Sequence, residues 1–259
     1  MLKDKFKLDK FSKTVLIILG FYLVVMLIIF LPKYIKLRKE KLYIITDNYR
    51  IKYEFGKWSF NNTDKKEEYT FYENGEYKGK YLALLLDKIR LYDNGSKVNY
   101  KGKILGYRGS LKLEVYNIIE DSKLEETDKL AIDKFLEKEN IKATYDTLYL
   151  QKAILDVDND GTEETIYCVS NNLDENSQVA FAAIFVSDGD KTDVLVSNSE
   201  KAEDKMMLKL YNLENIFDIK KDKKIEILYS TGYSMGSVDE QCYVLHNLSS
   251  KKVIHNFCE

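Results

Sequence analysis

The chain is poor in the residues on which many enzymes and metal proteins rely. It has two histidines, His246 and His255, both near its end. A zinc site of nitrogen and sulfur ligands, or a histidine-based acid–base catalyst, therefore lacks parts. Three cysteines, Cys168, Cys242 and Cys258, are too few for a disulfide framework. Cys168 and Cys242 each lie in an apolar, strand-like run, where a small buried thiol is expected and a Cys168–Cys242 bridge is the alternative. Pro32 is the only proline, while Lys, Asn and Ile abound, the composition of an AT-rich bacterial genome. No glycine-rich phosphate loop is present. The one tryptophan, Trp58, joins many tyrosines that could form a carbohydrate platform, although packing in a Tyr-rich sheet is the stronger use.

What is there is apolar and unevenly charged. Hydrophobic residues make up 45% of the chain, enough for a core and too many for a disordered polymer. Its 20 Tyr and 12 Phe, with Ile and Val, favour half-buried pleated surfaces. The net charge of −2 divides sharply: residues 1–41 carry ten basic and three acidic groups (+7), and the remainder 30 basic and 39 acidic (−9). A basic flank beside a membrane anchor attracts anionic head groups. An acidic body argues against nucleic acid as a partner.

Residues 14–31, TVLIILGFYLVVMLIIFL, form a run of 18 without a charge. At 1.5 Å per residue it reaches about 27 Å, enough for the hydrocarbon of a bilayer. Pro32-Lys-Tyr-Ile-Lys follows, with no small-x-small cleavage site and no lipobox cysteine, so an uncleaved transmembrane helix is expected over a cleaved signal peptide. Residues 1–13 then form a cytoplasmic tail and 32–41 a basic neck. Five lysines precede the span and five basic residues follow it, so charge alone leaves its direction open. The short tail favours a body outside the cytoplasm. Gly20 alone makes no small-xxx-small helix-pairing motif.

Residues 42–118 alternate strand-like runs with Asn74-Gly75 and Asn94-Gly95, the turn chemistry of tight hairpins. A membrane-proximal antiparallel meander or small barrel is expected. The order Gly56-x-Trp58, Glu73-Asn-Gly-Glu-Tyr77, Lys88-Ile-Arg-Leu91 and Leu111-x-Leu113 resembles small lipocalin-like domains of bacterial surface proteins, over residues 50–118. That resemblance implies a partly closed barrel and no particular ligand. Residues 119–143 are expected to hold a linker and one helix, capped by Thr127, with Leu130, Ile132, Phe135, Leu136 and Ile141 on its apolar face.

From residue 144 strands resume, with a repeat. Setting Asp156 on Asp218 also sets Asp160 on Asp222 and Glu164 on Glu226, an offset of 62. The first copy reads Asp156-Val-Asp158-Asn-Asp160-Gly161-Thr162-Glu-Glu164. Calcium takes six to eight oxygens in a flexible shell. Asp156, Asp158 and Asp160 can converge on one ion, Gly161 permits the turn, Thr162 can offer its carbonyl and Glu164 can close the shell. An EF-hand would need Glu where Tyr167 stands. The pattern, between strands, resembles the FG-GAP or VCBS repeats of integrin-type propellers and bacterial surface proteins, over residues 145–259. In that family the loop joins the first two strands of a blade and binds calcium. The second copy departs from the motif with Lys220 and Lys223, and is expected to stay metal-free. A metal-free acidic turn is the competing reading of the first. Two units cannot close a propeller ring alone. Residues 144–259 are therefore expected as a two-unit antiparallel β-sandwich, with a ring completed by oligomerisation as the alternative.

Two enzyme motifs fail on context. Gly232-Tyr-Ser234-Met-Gly236 matches a nucleophile elbow, and Asp239 with His246 or His255 follows in hydrolase order. The elbow must lead into a helix, whereas SVDEQCYVLHN reads as a turn entering a strand. Asp158-x-Asp160-Gly161-Thr162 imitates the haloacid dehalogenase-like phosphatase motif, but the crossover helices of a parallel sheet do not follow. The sequence thus leads to a mainly β, single-pass membrane protein of a Gram-positive bacterial envelope. Binding or scaffolding is its expected work, with an envelope protein or wall polymer as partner. An envelope enzyme or inhibitor with a non-local site, or an accessory subunit of a membrane complex, is the alternative.

Overall fold

A computed structural model of the chain describes residues 10–46, 49–60, 66–85, 89–120, 123–171, 177–219, 222–234 and 242–258. Residues 1–9 of the expected tail and Lys88 of the lipocalin-like pattern lie outside these. The uncharged run folds as α1 (Lys10–Lys39), of which Ile18–Lys39 is long and apolar enough to cross a membrane and is not buried against the rest of the chain. Most of the expected basic neck is helical: the helix continues through Pro32 to Lys39. One proline removes a single intrahelical hydrogen bond, and Lys, Ile, Leu and Arg on its C-terminal side are good or fair helix formers.

The strands that follow α1, the proximal set, are β1 (Lys41–Ile45), β2 (Arg50–Glu54), β3 (Lys57–Phe60), β4 (Glu67–Glu73), β5 (Glu76–Leu85), β6 (Ile89–Asp93), β7 (Ser96–Val98) and β8 (Ile104–Gly109). They form one antiparallel sheet in the order β3-β2-β1-β8-β4-β5-β6-β7. Its edges, β3 and β7, do not meet, so among the described residues it is an open meander and not a closed barrel. Strand alternation gives it two buried faces. Leu42 and Ile44 enter one core with Ile51 and Leu105, whereas Ile45 enters another with Tyr69, Phe71 and Leu91.

Three hairpins turn in two residues with φ > 0 at both, as a type I′ turn requires. Two use Asn-Gly: Asn74 (φ 50°) with Gly75, and Asn94 (φ 47°) with Gly95. The third uses Phe55 (φ 54°) with Gly56. For a bulky L-residue that conformation costs roughly 1–2 kcal/mol.

Next come β9 (Leu113–Tyr116), β10 (Ile119–Glu120) and α2 (Glu126–Lys138). The repeats follow as β11 (Tyr149–Leu155), β12 (Glu164–Ser170), β13 (Val179–Ser187), β14 (Thr192–Lys201), β15 (Lys209–Ile219), β16 (Ile225–Tyr233), β17 (Cys242–Asn247) and β18 (Lys252–Cys258), with a 3₁₀ turn at Ala202–Met207 between the two sets. Each repeat is an antiparallel sheet of five strands, β10-β11-β12-β13-β14 and β18-β17-β16-β15-β9. The fifth strand of each comes from the connecting segment: β9 pairs with β15 and β10 with β11. Leu113–Tyr116, expected with the proximal meander, thus lie in the distal sheet.

The two repeat sheets face each other as a sandwich. Ala153, Leu155, Ile166 and Ile184 of one pack on Leu213, Ile216, Ile227 and Tyr229 of the other. Their outer faces are covered too. Ile132, Phe135 and Leu136 of α2 pack on Leu150, Phe181 and Phe185, with Phe135 stacked on Phe185 at 4.9 Å. On the far side Phe217, Leu228, Leu245 and Phe257 pack on the proximal sheet. Burial on both faces explains why β13 reads VAFAAIFVS, almost without polar interruption.

α2 corrects two details. Its N-cap is Glu125, not Thr127, and Leu130 points outward, 59% exposed. The buried positions are Asp128, Ala131, Ile132, Phe135 and Leu136. Asp128 accepts Glu125 N–H, the Lys152 ammonium and the Tyr167 hydroxyl, at 3.0 to 3.2 Å. An acidic residue near a helix N-terminus is doubly favoured, by the free N–H groups and by the dipole. The Cys168–Cys242 alternative is overturned: Cys242 bonds Cys258, its registered partner across β17 and β18, and Cys168 is a free, buried thiol in the sandwich core. Trp58 packs beside Tyr53 and edge-on to Phe257, within the core between proximal and distal sheets.

Candidate metal centre

The acidic loop spans the gap between β11 and β12, whose ladder closes at Leu155↔Glu164. Asn159 (φ 67°) and Gly161 (φ 93°) take left-handed conformations that reverse the chain. Backbone N–H groups then fix each carboxylate. Asp156 Oδ1 accepts Asp160 N–H and its Oδ2 accepts Gly161 N–H, both at 3.1 Å. Asp158 Oδ1 also accepts Asp160 N–H at 3.1 Å, and Asp160 Oδ1 accepts Thr162 N–H at 2.7 Å. Glu164, buried at the start of β12, accepts Val157 N–H at 2.6 Å.

These bonds bring three of the expected ligands together. One oxygen each of Asp156, Asp158 and Glu164 lies within 4.8 Å of the others. Oxygens on opposite sides of a calcium ion stand about 5 Å apart, so the spacing suits one hard cation. Asp160 is not in this triad, and its Oδ1 is turned to Thr162 N–H. Thr162 is exposed beside it.

The second loop is a cast of the first. Asp218 accepts Asp222 N–H and Lys223 N–H, at 3.0 and 2.8 Å. Asp222 accepts Lys224 N–H, and Glu226 accepts Ile219 N–H, each at 3.2 Å. All four bonds repeat those of the first loop at the offset of 62. Lys223 takes the place of Gly161 and keeps its positive φ, at 65°. Lys220 lies outside the described residues.

Countercharge separates the twins. In the second loop the Lys224 ammonium lies 3.6 Å from Asp222. In the first, among the described residues, no Lys or Arg makes an ion pair with Asp156, Asp158, Asp160 or Glu164. Lys223 does reach across, but donates to the amide oxygen of Asn159. That contact between loops has no local signal in the sequence. Glu226 is 8% exposed, and burial beside Asp218 and Asp222 lifts its pKa to about 7 against the pull of the Ile219 N–H and Asn247 bonds.

The other motifs fall as follows. Ser234 lies just after β16, its N–H donating to Leu208 O at 3.0 Å, while Gly236 and Asp239 lie outside the described residues. His246 is buried in β17, and burial lowers its pKa. His255 packs edge-on to Phe257 at 4.5 Å. Asp158–Thr162 joins antiparallel neighbours, not strands linked by a crossover helix. One polar cleft of about 590 Å³ opens where the sheets meet, lined among others by Asn74, Lys101, Lys103, Asn117 and Glu214. Glu214 is 5% exposed and sits in a bulge of β15. No protein-family model, curated protein or solved structure matches the chain.

Proposed function

We propose that the chain is a membrane-anchored binding or scaffold protein of a Gram-positive bacterial envelope, with its β body outside the cytoplasm and braced by calcium. The carrying observation is the contrast between the twin loops. Both have the same backbone cradle, but in the second Lys224 pairs with Asp222, whereas in the first three carboxylates converge and, among the described residues, no Lys or Arg pairs with them. Asp156, Asp158 and Glu164 would bind the ion, with Asp160 and the Thr162 carbonyl completing the shell. Calcium bound at 100 times its Kd would stabilise the fold by about 2.7 kcal/mol. This geometry supports the FG-GAP or VCBS reading of the distal half. Calorimetric titration of the detergent-solubilised chain should show one calcium site that Asp158→Ala abolishes. An isotherm unchanged by that substitution refutes the site.

The Cys242–Cys258 bridge supports an oxidising compartment for the body. A cysteine placed at exposed Ser96 should react with an impermeant maleimide in intact cells, and labelling only after lysis would overturn the orientation. Affinity purification of the membrane form, with calcium and with chelator, tests the scaffold role. Recovery of no envelope protein or wall polymer under either condition counts against it. The polar cleft favours the second reading, an envelope enzyme or inhibitor whose site comes from distant segments. Wall fragments that raise the melting temperature of the wild type but not of Lys103→Gln would favour it.

A further inference from the structure

The helix and the body meet without a hinge. Only Glu40 separates α1 from β1, and Ser110 fastens the junction. Its Oγ donates to Lys39 O at 2.6 Å and accepts Lys41 N–H at 2.9 Å, and its own N–H donates to Lys41 O at 2.9 Å. Gly109 makes this approach possible, since a Cβ there would stand 2.2 Å from Lys41 O. On another flank the Phe55-Gly56 turn abuts the helix, for a Cβ on Gly56 would stand 3.3 Å from Leu37. The body sits on the end of the helix.

A groove of about 660 Å³ remains in the angle, lined by Leu31, Pro32, Ile35, Lys36, Lys39 and Leu111, with Glu40 and Ser110 at its rim. Leu31, Ile35 and Lys39 are spaced by four, as are Pro32 and Lys36, so each set lies along one face of the helix. The groove thus runs from Leu31 at the bilayer end to Lys36 and Lys39, whose backbone lies about 7.5 and 12 Å of helix rise nearer the body. An apolar stem below a pair of cations is the complement of a phospholipid with a negative head group. The surrounding charge agrees: Lys33, Arg38 and Lys41 extend the basic flank.

Phe55 gives an independent pointer. Its turn is the one that uses a phenyl ring where the two others of the same geometry use Asn, and that ring is 53% exposed. Neither the backbone nor the core is served by it. Leu37, against Gly56 of the same turn, lies about 3 Å of helix rise beyond Ile35, which would set the ring near the head-group boundary, where amphipathic surfaces bury Phe.

We propose that this junction is a lipid seat. One anionic phospholipid occupies the groove, its phosphate between Lys36 and Lys39 and an acyl chain along Leu31 and Ile35. Phe55 inserts among the neighbouring head groups, and the body stands in a fixed pose on the bilayer. The proposal rests on the reading of α1 as a membrane span.

The full chain in phosphatidylcholine nanodiscs, with and without phosphatidylglycerol, tests it by native mass spectrometry. The wild type should retain one phosphatidylglycerol in preference to phosphatidylcholine. The double substitution Lys36→Gln and Lys39→Gln, at exposed positions, should cut that preference about 30-fold, the worth of two cations at an anionic surface. A fluorophore on Phe55→Cys should shift to the blue on transfer from detergent to nanodiscs. Phe55→Asn should raise the melting temperature in detergent, since it restores the turn chemistry of the sister hairpins. A wild type with no preference, while α1 still resists carbonate extraction, overturns the seat and leaves the span intact. Release by carbonate overturns the span itself. A chain that dimerises through this face in nanodiscs, with no bound lipid, assigns the groove to a second copy and overturns the proposal.

Discussion

Glu226 should make the stability of this protein fall as pH rises from 4.5 to about 7. Its carboxyl is buried between β16 and the second acidic loop, and its pKa stands at about 7 against an ordinary 4.5. Below pH 4.5 the group is neutral folded and unfolded, and contributes no pH dependence. Between 4.5 and about 7 the folded chain keeps a proton that the unfolded chain releases, so each step upward in pH favours unfolding. At 1.36 kcal/mol per pH unit, that interval corresponds to about 3 kcal/mol, fully lost above pH 7. Glu226→Gln removes the titration and keeps an oxygen for Ile219 N–H. Urea unfolding of the detergent-solubilised chain in EDTA, from pH 4.5 to 8, isolates the term as the difference between wild type and variant. The two should agree within about 1 kcal/mol at pH 4.5, and the variant should be more stable by about 3 kcal/mol at pH 8. In thermal melts at pH 8 that gap is worth roughly 6–12 °C for a body of this size. A difference that stays constant over the whole range would refute the assignment of a buried, proton-holding Glu226.

Two further outcomes can be measured alongside. The Cys242–Cys258 bridge closes a loop of sequence separation 16, so Cys258→Ser should destabilise the folded chain by about 3 kcal/mol in urea. An equal midpoint for wild type under oxidising and reducing conditions would show that the bridge does not form. Lys223→Gly should stabilise by about 0.5–1 kcal/mol, because it relieves a left-handed lysine at the place where the first loop has Gly161. A loss of stability in that variant would mean that the Lys223–Asn159 contact outweighs the backbone strain.

The readable parts of the sequence were those with a local signature. An uncharged run of 18 residues makes a helix with no polar face, and Asn-Gly between β-rich runs makes a hairpin. The repeat at an offset of 62 survives as two loops with matching hydrogen bonds. Three of the five expected ligands, Asp156, Asp158 and Glu164, converge, the aspartates from one side of the loop and Glu164 held back to it by Val157 N–H, while Asp160 is turned to Thr162 N–H. What escaped was settled by distant neighbours. Phe55-Gly56 carries no turn signal, since a phenylalanine gives no reason to expect φ > 0. Leu130 looked like core, but Asp128 takes the buried place because Lys152 and Tyr167, on β11 and β12, supply its partners. Cys258 finds Cys242 only through the register of β17 and β18. The pairing of β9 and β10 with two different sheets is equally invisible, being a matter of which edge lies free.

Those two short strands explain why two repeats suffice. A blade-like sheet buried on both faces needs a neighbour on each side, which is why such units commonly close into rings. Here the sandwich core satisfies the inner faces, α2 covers one outer face and the proximal sheet covers the other. Residues 113–120 give each repeat its fifth strand, one residue pair after another, and so tie both to the sheet that continues from the helix. Among the described residues, both faces of each repeat sheet are thus covered within the chain itself. Loosening the proximal sheet would uncover Phe217 and Leu228, on the two strands that flank the second loop, and Leu245 on the strand beside them.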